Sequence, residues 1–515
     1  MFIMNHKKTL ILGMCCFGLY GCDSSNDSKT LAEQSAYDPA TQVIEDDQHT
    51  SVFISALNMD GLDTGKIKNI SFRIKTKDGN FAKPVSATYD WSYLSNNGLF
   101  DATNNSVQVP IFGLYSDYLN ELTIDIQYID DSIYSFQKMV PAATYVDSAG
   151  VYDNVGISIK PIATPSYSYF YLKSRLKNPI VMDIDGEVRW DAETKRDSMA
   201  SIFMNNMFIT GRPVMGSGGA AIDIISLYGK TDSTVINDTK MGSDAYFHHN
   251  IDPGKKGILI ELDGTTDGAL KIESFLSEID ESGNVIKEWD LGKIFSEYMV
   301  QEGDDPSNFV RNGVDWFHMN AATYDPADDT LLVSSRENFV VKLDYNTGKI
   351  IWLLGDETKH WYSYPSLQKL ALSLSSGQVP IGQHAVSITK EGKLMLFNNG
   401  LKSFNHPSGT PAGIDLATSQ TAIFDIDSQN KTGQMIWSFD DGIYSDICSS
   451  IYQDQLSAQG DFLINYAAAD NRTRVIIQGI NKDKQKLFEF TYPSPTPCAT
   501  SWNAIQIPLE NIHFQ

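Results

Sequence analysis

From residue 50 to residue 162 apolar and polar side chains alternate in short runs. Ser51-Val52-Phe53-Ile54, Ile70-Ser71-Phe72-Arg73-Ile74, Val107-Gln108-Val109-Pro110 and Leu122-Thr123-Ile124-Asp125-Ile126 each place every second residue on an apolar face. That period of two is the mark of half-buried strands, and about a hundred residues of them predict a small β-sandwich. From about residue 163 the texture changes to repeats. Asp183-Ile184-Asp185-Gly186-Glu187-Val188-Arg189-Trp190 joins an Asp/Gly turn to a strand ending in tryptophan, and the pattern returns at 280–289, 344–352 and, with an insertion, 427–437. Each reads as a hairpin that packs its tryptophan between sheets. The four tryptophans stand 99, 63 and 85 residues apart, so one unit is skipped in the first interval. Units at 165–200, 201–240, 241–297, 310–356, 376–440 and 455–497 give six four-stranded blades of a β-propeller. Helix signals are few; 367–375 is the best short candidate, as an insertion between blades, and 308–314 and 405–411 read as rim loops.

Composition agrees with an all-β class and adds a destination. The 515 residues are 42% hydrophobic and 20% charged, ordinary for a globular chain, and 24 Tyr, 25 Phe and 37 Gly suit strands and turns. At the start, Lys7 and Lys8 precede a short apolar run that ends Leu19-Tyr20-Gly21-Cys22. The run is too short to span a membrane, and its ending resembles a bacterial lipobox. Residues 1–21 then form a lipoprotein signal peptide, Cys22 carries the lipid, and 22–49 is a polar tether; the alternative is an ordinary signal cleaved near Gly21. The implied location is the periplasmic side of a bacterial envelope, lipid-anchored, with the membrane left open. Removing 1–21 deletes two lysines and no acids, which moves the formal charge from −24 to −26. So acidic a surface argues against a nucleic-acid partner. Of five cysteines, Cys448 and Cys498 alone remain unmodified in the mature chain, and an oxidising compartment favours their pairing over a reactive thiol.

Candidate chemistry comes from histidines that open three of the repeated units. They lie in Phe247-His248-His249-Asn250-Ile251, Trp316-Phe317-His318-Met319-Asn320 and Gly382-Gln383-His384-Ala385-Val386, each followed by a turn signal and an apolar strand. Repeats arranged in a ring superpose equivalent positions, so the three side chains converge on one axis. Aligning the strand starts sets His249 opposite His318 and His384, with His248 as the alternative.

These segments resemble the motifs of bacterial arylsulfate sulfotransferases. The likeness rests on Asp315-Trp316-Phe317-His318-Met319-Asn320, Ser334-Ser335-Arg336, Asp344 through Trp352 and Gln383-His384, and it reaches Pro110 through Asn120 in the first unit. The resemblance implies a six-bladed propeller behind an N-terminal β-sandwich, with domains at 50–162 and 163–515. It also implies sulfuryl transfer from an aryl sulfate donor to a phenolic acceptor, by a ping-pong route through a sulfated histidine. No cofactor is implied, the nucleotide donor PAPS included. Carried over, His384 is the nucleophile; His318, Asn320 and Arg336 hold the sulfuryl oxygens; His249, or His248, gives and takes the proton. Further implied partners are a membrane through the anchor, a second copy in a homodimer, and a disulfide-forming oxidase during maturation.

The chemistry suits those residue types. Sulfuryl transfer spreads charge over oxygens, so cationic donors and positioning dominate, and a neutral imidazole is a good nucleophile near pH 7. The family often carries Asp after its histidines, where Asn250 and Ala385 stand here, which puts the orientation of both imidazoles in question. Two other readings stay open. Three histidines can bind zinc or copper, although no His-x-x-x-His or Cys-x-x-Cys spacing occurs and no metal is assigned. A non-enzymatic envelope propeller needs neither His384 nor Arg336. A sulfatase is weaker, since the Cys/Ser-x-Pro-x-Arg signature is absent. His360 and His406 lie in loops and read as bystanders.

Overall fold

A computed structural model describes residues 43–45 (backbone), 51–192, 197–214 and 218–515. The signal segment and Cys22 lie outside the described residues. The alternating first unit folds as two packed sheets. One orders Val43–Glu45, Ile54–Asp60, Ser106–Phe112 and Phe100–Asp101; the other orders Ile512–Phe514, Ser86–Asp90, Ile67–Ile74, Tyr118–Tyr128 and Ile133–Ala142. Register follows the pattern: Ile70 faces Ile126 and Phe72 faces Ile124, all four side chains buried.

Six blades follow, the first four of four strands and the fifth and sixth each with a fifth strand added at the outer edge, so the all-β propeller behind a sandwich holds. Blade two runs from Ser201–Met204 to Thr231–Val235, blade three from Tyr246–Pro253 to Val285–Asp290, and blade four from Met319–Asp325 to Ile350–Gly355. Blade five runs from His384–Ile388 to Thr432–Phe439 and blade six from Ser450–Gln453 to Lys486–Pro493. Blade one takes its innermost strand, Ala504–Ile507, from the far end of the chain, which pairs antiparallel with Tyr169–Leu172 and closes the ring. Each inner strand remains the edge of its own sheet, short and protected by its neighbours around the channel.

Several boundaries differ from the sequence reading. Blade six begins at Ser450 rather than 455, and blade one is incomplete without residues 504–507. The expected division at 162–163 is crossed twice: Gly156–Ile159 adds to the outer edge of blade six, and Ile512–Phe514 returns to pair parallel with Ser86–Asp90 of the sandwich. Local pattern carries no information about which distant edge a short strand will join. Trp190, Trp289 and Trp352 are buried between sheets as expected, whereas Trp437 is only half-buried and bonds the Lys482 carbonyl.

The candidate helix at 367–375 is a single turn, Pro365–Gln368, and the longer helix, Leu291–Glu302, was not anticipated. Its signals were present: the Asp290 side chain caps the Lys293 amide at 3.0 Å, and Gly303 ends the helix at φ 96°. Leu291, Phe295 and Met299 fall one turn apart on its buried face. Each contributes roughly 1.5–3 kcal/mol by burial. Phe295 packs on Trp316, Phe317 and Phe339 beside the His318 segment, so this insertion buttresses one wall of the site.

Candidate active site

Each histidine sits where the inner strand of its blade slips register. Pairing skips between Phe247 and Ile251 in blade three, between Met319 and Ala321 in blade four, and between His384 and Ser387 in blade five. A bulge bends its strand and re-aims a side chain. His318 and Ala385 take left-handed backbone, each at φ 53°, to do so. The same device at the same end of three neighbouring blades turns the imidazoles toward the channel axis. His249 and His318 lie with ring centres 4.9 Å apart, and Trp502 stacks on His249 at 4.5 Å while meeting His384 edge-on at 5.6 Å.

The three imidazoles are held in different charge states. The His249 Nδ1–H donates to the Met319 carbonyl at 3.0 Å, leaving Nε2 as the basic nitrogen. Burial, then the neighbouring His248, His318 and His384 rings, hold its pKa well below the ordinary value, so it is neutral. Nδ1 of His384 donates to Asn399 Oδ1 at 2.7 Å, and its Nε2 meets the Cys448 amide at a long 3.3 Å. Burial, then the Arg336 and His318 cations, push His384 down to about 3. A neutral imidazole of fixed tautomer, its Nε2 lone pair held only by that long bond from the Cys448 amide, is what a nitrogen nucleophile requires.

His318 is the opposite case. Its Nδ1 lies 2.7 Å from Glu273 Oε2 and 2.6 Å from Asp315 Oδ2. Burial alone would strip its proton, yet the Glu273 charge and the bonds to both carboxylates raise it to about 10. Burial would also raise the Glu273 carboxyl, but the His318 charge and a direct contact from His248 Nε2 hold it down to about 2. Glu273 reaches the axis through another irregularity: the strand pairing slips beside it between Leu262 and Gly264, and its own φ is 48°.

Arg336 is buried to 1% exposure and its amide donates to the His318 carbonyl at 3.1 Å. Nη1 pairs with Glu337, Phe404 covers the guanidinium face at 4.1 Å, and Nη2 has no partner among the described residues. Asn320 is in place but differently engaged: Nδ2 donates to the Gln383 carbonyl at 2.9 Å, so the amide ties blade four to the residue before His384. The predicted catalytic side chains His248, His249, His318, Asn320, Arg336 and His384 are thus brought to one end of the channel. His360 and His406 are elsewhere, bonded to Tyr364 and to the Pro407 carbonyl.

The missing aspartates are accounted for by position. Asn250 turns away from the imidazoles to accept from the buried Lys173 and donate to Asp252. Asn399, from the end of the neighbouring strand, supplies the acceptor that fixes His384. Both its amide hydrogens are used, on the Ser445 and Cys448 carbonyls, so its oxygen must face the imidazole. Sequence reading missed Asn399, Glu273 and Trp502, which lie in segments without the histidine pattern; Asp315 stood in the quoted motif without a role. His249, Glu273 and His318 present donor atoms within 4.8 Å of one another, a possible ligand set, but the imidazolium–carboxylate pairing accounts for that closeness. A cavity of about 880 Å³ lies further along the same inner strands and is lined by Asp252, Thr323, Val386 and Tyr452 rather than by the histidines.

Cys448 and Cys498 form a disulfide, as expected, and it packs with Trp502 beneath His384. It closes a loop of 50 residues. Replacing both cysteines with serine is expected to cost about 2–4 kcal/mol, read as a lower denaturant midpoint with a steeper slope, because the unfolded chain without its cross-link exposes more surface.

Family models match at two places, one described as arylsulfotransferase (ASST) over residues 156–503 and one as arylsulfotransferase Ig-like domain over 58–144. The chain belongs to the arylsulfotransferase family. An aryl sulfotransferase activity goes with that family. Among curated relatives, the arylsulfate sulfotransferase AssT of Escherichia coli O6:H1 strain CFT073 is 22% identical over 436 residues, covering 64% of this chain and 70% of that one. The enzyme of the same name from Lelliottia amnigena is 26% identical over 213 residues, 33% of this chain and 35% of its own length. A solved β-propeller domain, Cps50 (Swd1) of Myceliophteria thermophila, covers 67% of this chain at 10% identity with a TM-score of 0.30, too distant to argue from.

Proposed function

We propose that this sulfotransferase works by a ping-pong mechanism through a sulfated His384, independent of a nucleotide sulfate donor. The observation that carries the proposal is the division of charge: a neutral, tautomer-locked His384 beside two fixed cations, His318 and Arg336. In the first half-reaction Nε2 attacks sulfur, an N–S bond forms, and the S–O bond to the aryl group breaks. The phenolate leaves with a proton from His249. The free His249 is neutral, but a bound sulfate ester brings the negative charge that favours its protonation. In the second half-reaction the acceptor phenol gives its proton to His249 Nε2, its oxygen attacks sulfur, and the N–S bond breaks. His318 and Arg336 face the sulfuryl oxygens throughout, where fixed donors stabilise a charge that is already dispersed. The test is incubation with an aryl sulfate, with and without added phenol, while phenolate release is followed. Transfer requires release that depends on acceptor after a first equivalent; no release from any aryl sulfate would end the proposal.

We further propose that Cys22 anchors the protein to the periplasmic side of the envelope, supported by the Leu-Tyr-Gly-Cys ending after a short apolar run. Cys22→Ser is expected to move the protein from the membrane fraction to the soluble one. Wild-type protein already soluble would refute the anchor.

A further inference from the structure

Trp502 carries a buried hydrogen-bond donor with nothing to bond. Its side chain is 5% exposed, its backbone amide donates to the Lys173 carbonyl at 2.6 Å, and its carbonyl accepts from Ser449 and Asn465. The indole Nε1–H has no partner among the described residues. The contrast within the chain is direct, because Trp190, Trp289, Trp352 and Trp361 all donate their indole hydrogens at 2.7–3.2 Å. An unpaired buried donor costs about 1–3 kcal/mol, and such groups in native folds call for a reason.

Position supplies the reason. The Trp502 ring lies between the two imidazoles that the proposed reaction uses, stacked on His249 at 4.5 Å and edge-on to His384 at 5.6 Å. Arg336 Nη2 is a second unpaired donor in this cluster, and His248 Nδ1 is a further buried nitrogen there without a partner among the described residues. Two buried donors left open around one nucleophile are the complement of an oxyanion. We infer that the Trp502 indole N–H is a catalytic hydrogen-bond donor to a sulfuryl oxygen, acting beside Arg336 and His318 without adding charge. No proton changes hands in this step; the indole stays neutral and the bond strengthens as negative charge gathers on oxygen. An uncharged donor suits the floor between two imidazoles, because a third cation there would further oppose protonation of His249. The inference rests on the sulfuryl-transfer reading for the oxygen it contacts.

Two replacements remove the donor: Trp502→Phe, which keeps a smaller aromatic ring, and the isosteric benzothienylalanine, which keeps the bicyclic shape with sulfur in place of N–H. Either is expected to lower kcat about a hundredfold, the usual loss for one oxyanion donor. Calorimetric binding of inorganic sulfate, a probe that needs no sulfated histidine, should weaken about tenfold. Wild-type kcat in a folded variant would overturn the inference, as would a fall in kcat with sulfate affinity unchanged, which marks ring packing alone. If the wild type transfers no sulfuryl group yet binds sulfate through the indole, the reaction proposal fails and the anion site stands.

Discussion

Replacing His384 with alanine should extinguish phenolate release, by ~10⁴-fold or more, because it removes the atom to which sulfur is transferred. The neighbouring side chains cannot substitute. His249 has the same neutral charge but a different task, its Nδ1 fixed on the Met319 carbonyl. His318 is protonated and so carries no lone pair. Alanine also leaves the Asn399 oxygen and the Cys448 amide without a partner, a loss on the order of 1–3 kcal/mol in stability. A melting curve is therefore needed alongside the assay, and the expected result is a folded but inactive protein. Quenching the wild type with donor alone and digesting it should place one added sulfuryl group on the peptide that contains His384. Full turnover in the variant, or the label on another peptide, would overturn the mechanism.

How far the sequence foretold this site depends on which interactions are local. The histidines were legible because each opens a repeated unit, and a ring of repeats carries equivalent positions to one axis. Arg336 was legible through the motif it shares with His318, eighteen residues away and just past the end of the next strand of the same blade. The charge states were not. His318 is made a cation by Glu273, which comes from a different blade through a strand irregularity that leaves no mark in the alternation of apolar residues. Asn399 lies fifteen residues past His384, at the end of a strand whose apolar pattern ignores it. Trp502 follows the second cysteine in a stretch with no strand rhythm, and only closure of the ring by residues 504–507 brings it between the imidazoles. The same reason explains the shifted domain boundary. Strands 156–159 and 512–514 are too short to declare their partners, and long-range pairing decides where they go.

The pairing of His318 with Glu273 yields a prediction about pH as well as rate. Glu273→Gln keeps the shape of the side chain and removes the charge that sits 2.7 Å from Nδ1, leaving Asp315 as the remaining carboxylate. The affinity of His318 for its proton should then fall from about 10 toward the ordinary 6.5. Wild-type activity should hold on the alkaline side until His318 loses its proton. The variant should lose activity as pH rises through a much lower value, with a deficit of about a hundredfold at pH 8–9, where one cation facing the sulfuryl oxygens is gone. At pH 5–6 the gap should narrow, because the weakened imidazole is still protonated there. Stability carries the same sign. A raised histidine contributes fully below 6.5 and loses its contribution as pH rises through about 10, whereas a depressed carboxyl contributes fully above 4.5 and loses it as pH falls through about 2. The pair is therefore at full strength between 4.5 and 6.5, and the difference in melting temperature between wild type and Glu273→Gln should be greatest in that window. A variant with the wild-type pH profile would mean that the charge on His318 is not used, and that Glu273 serves the fold alone.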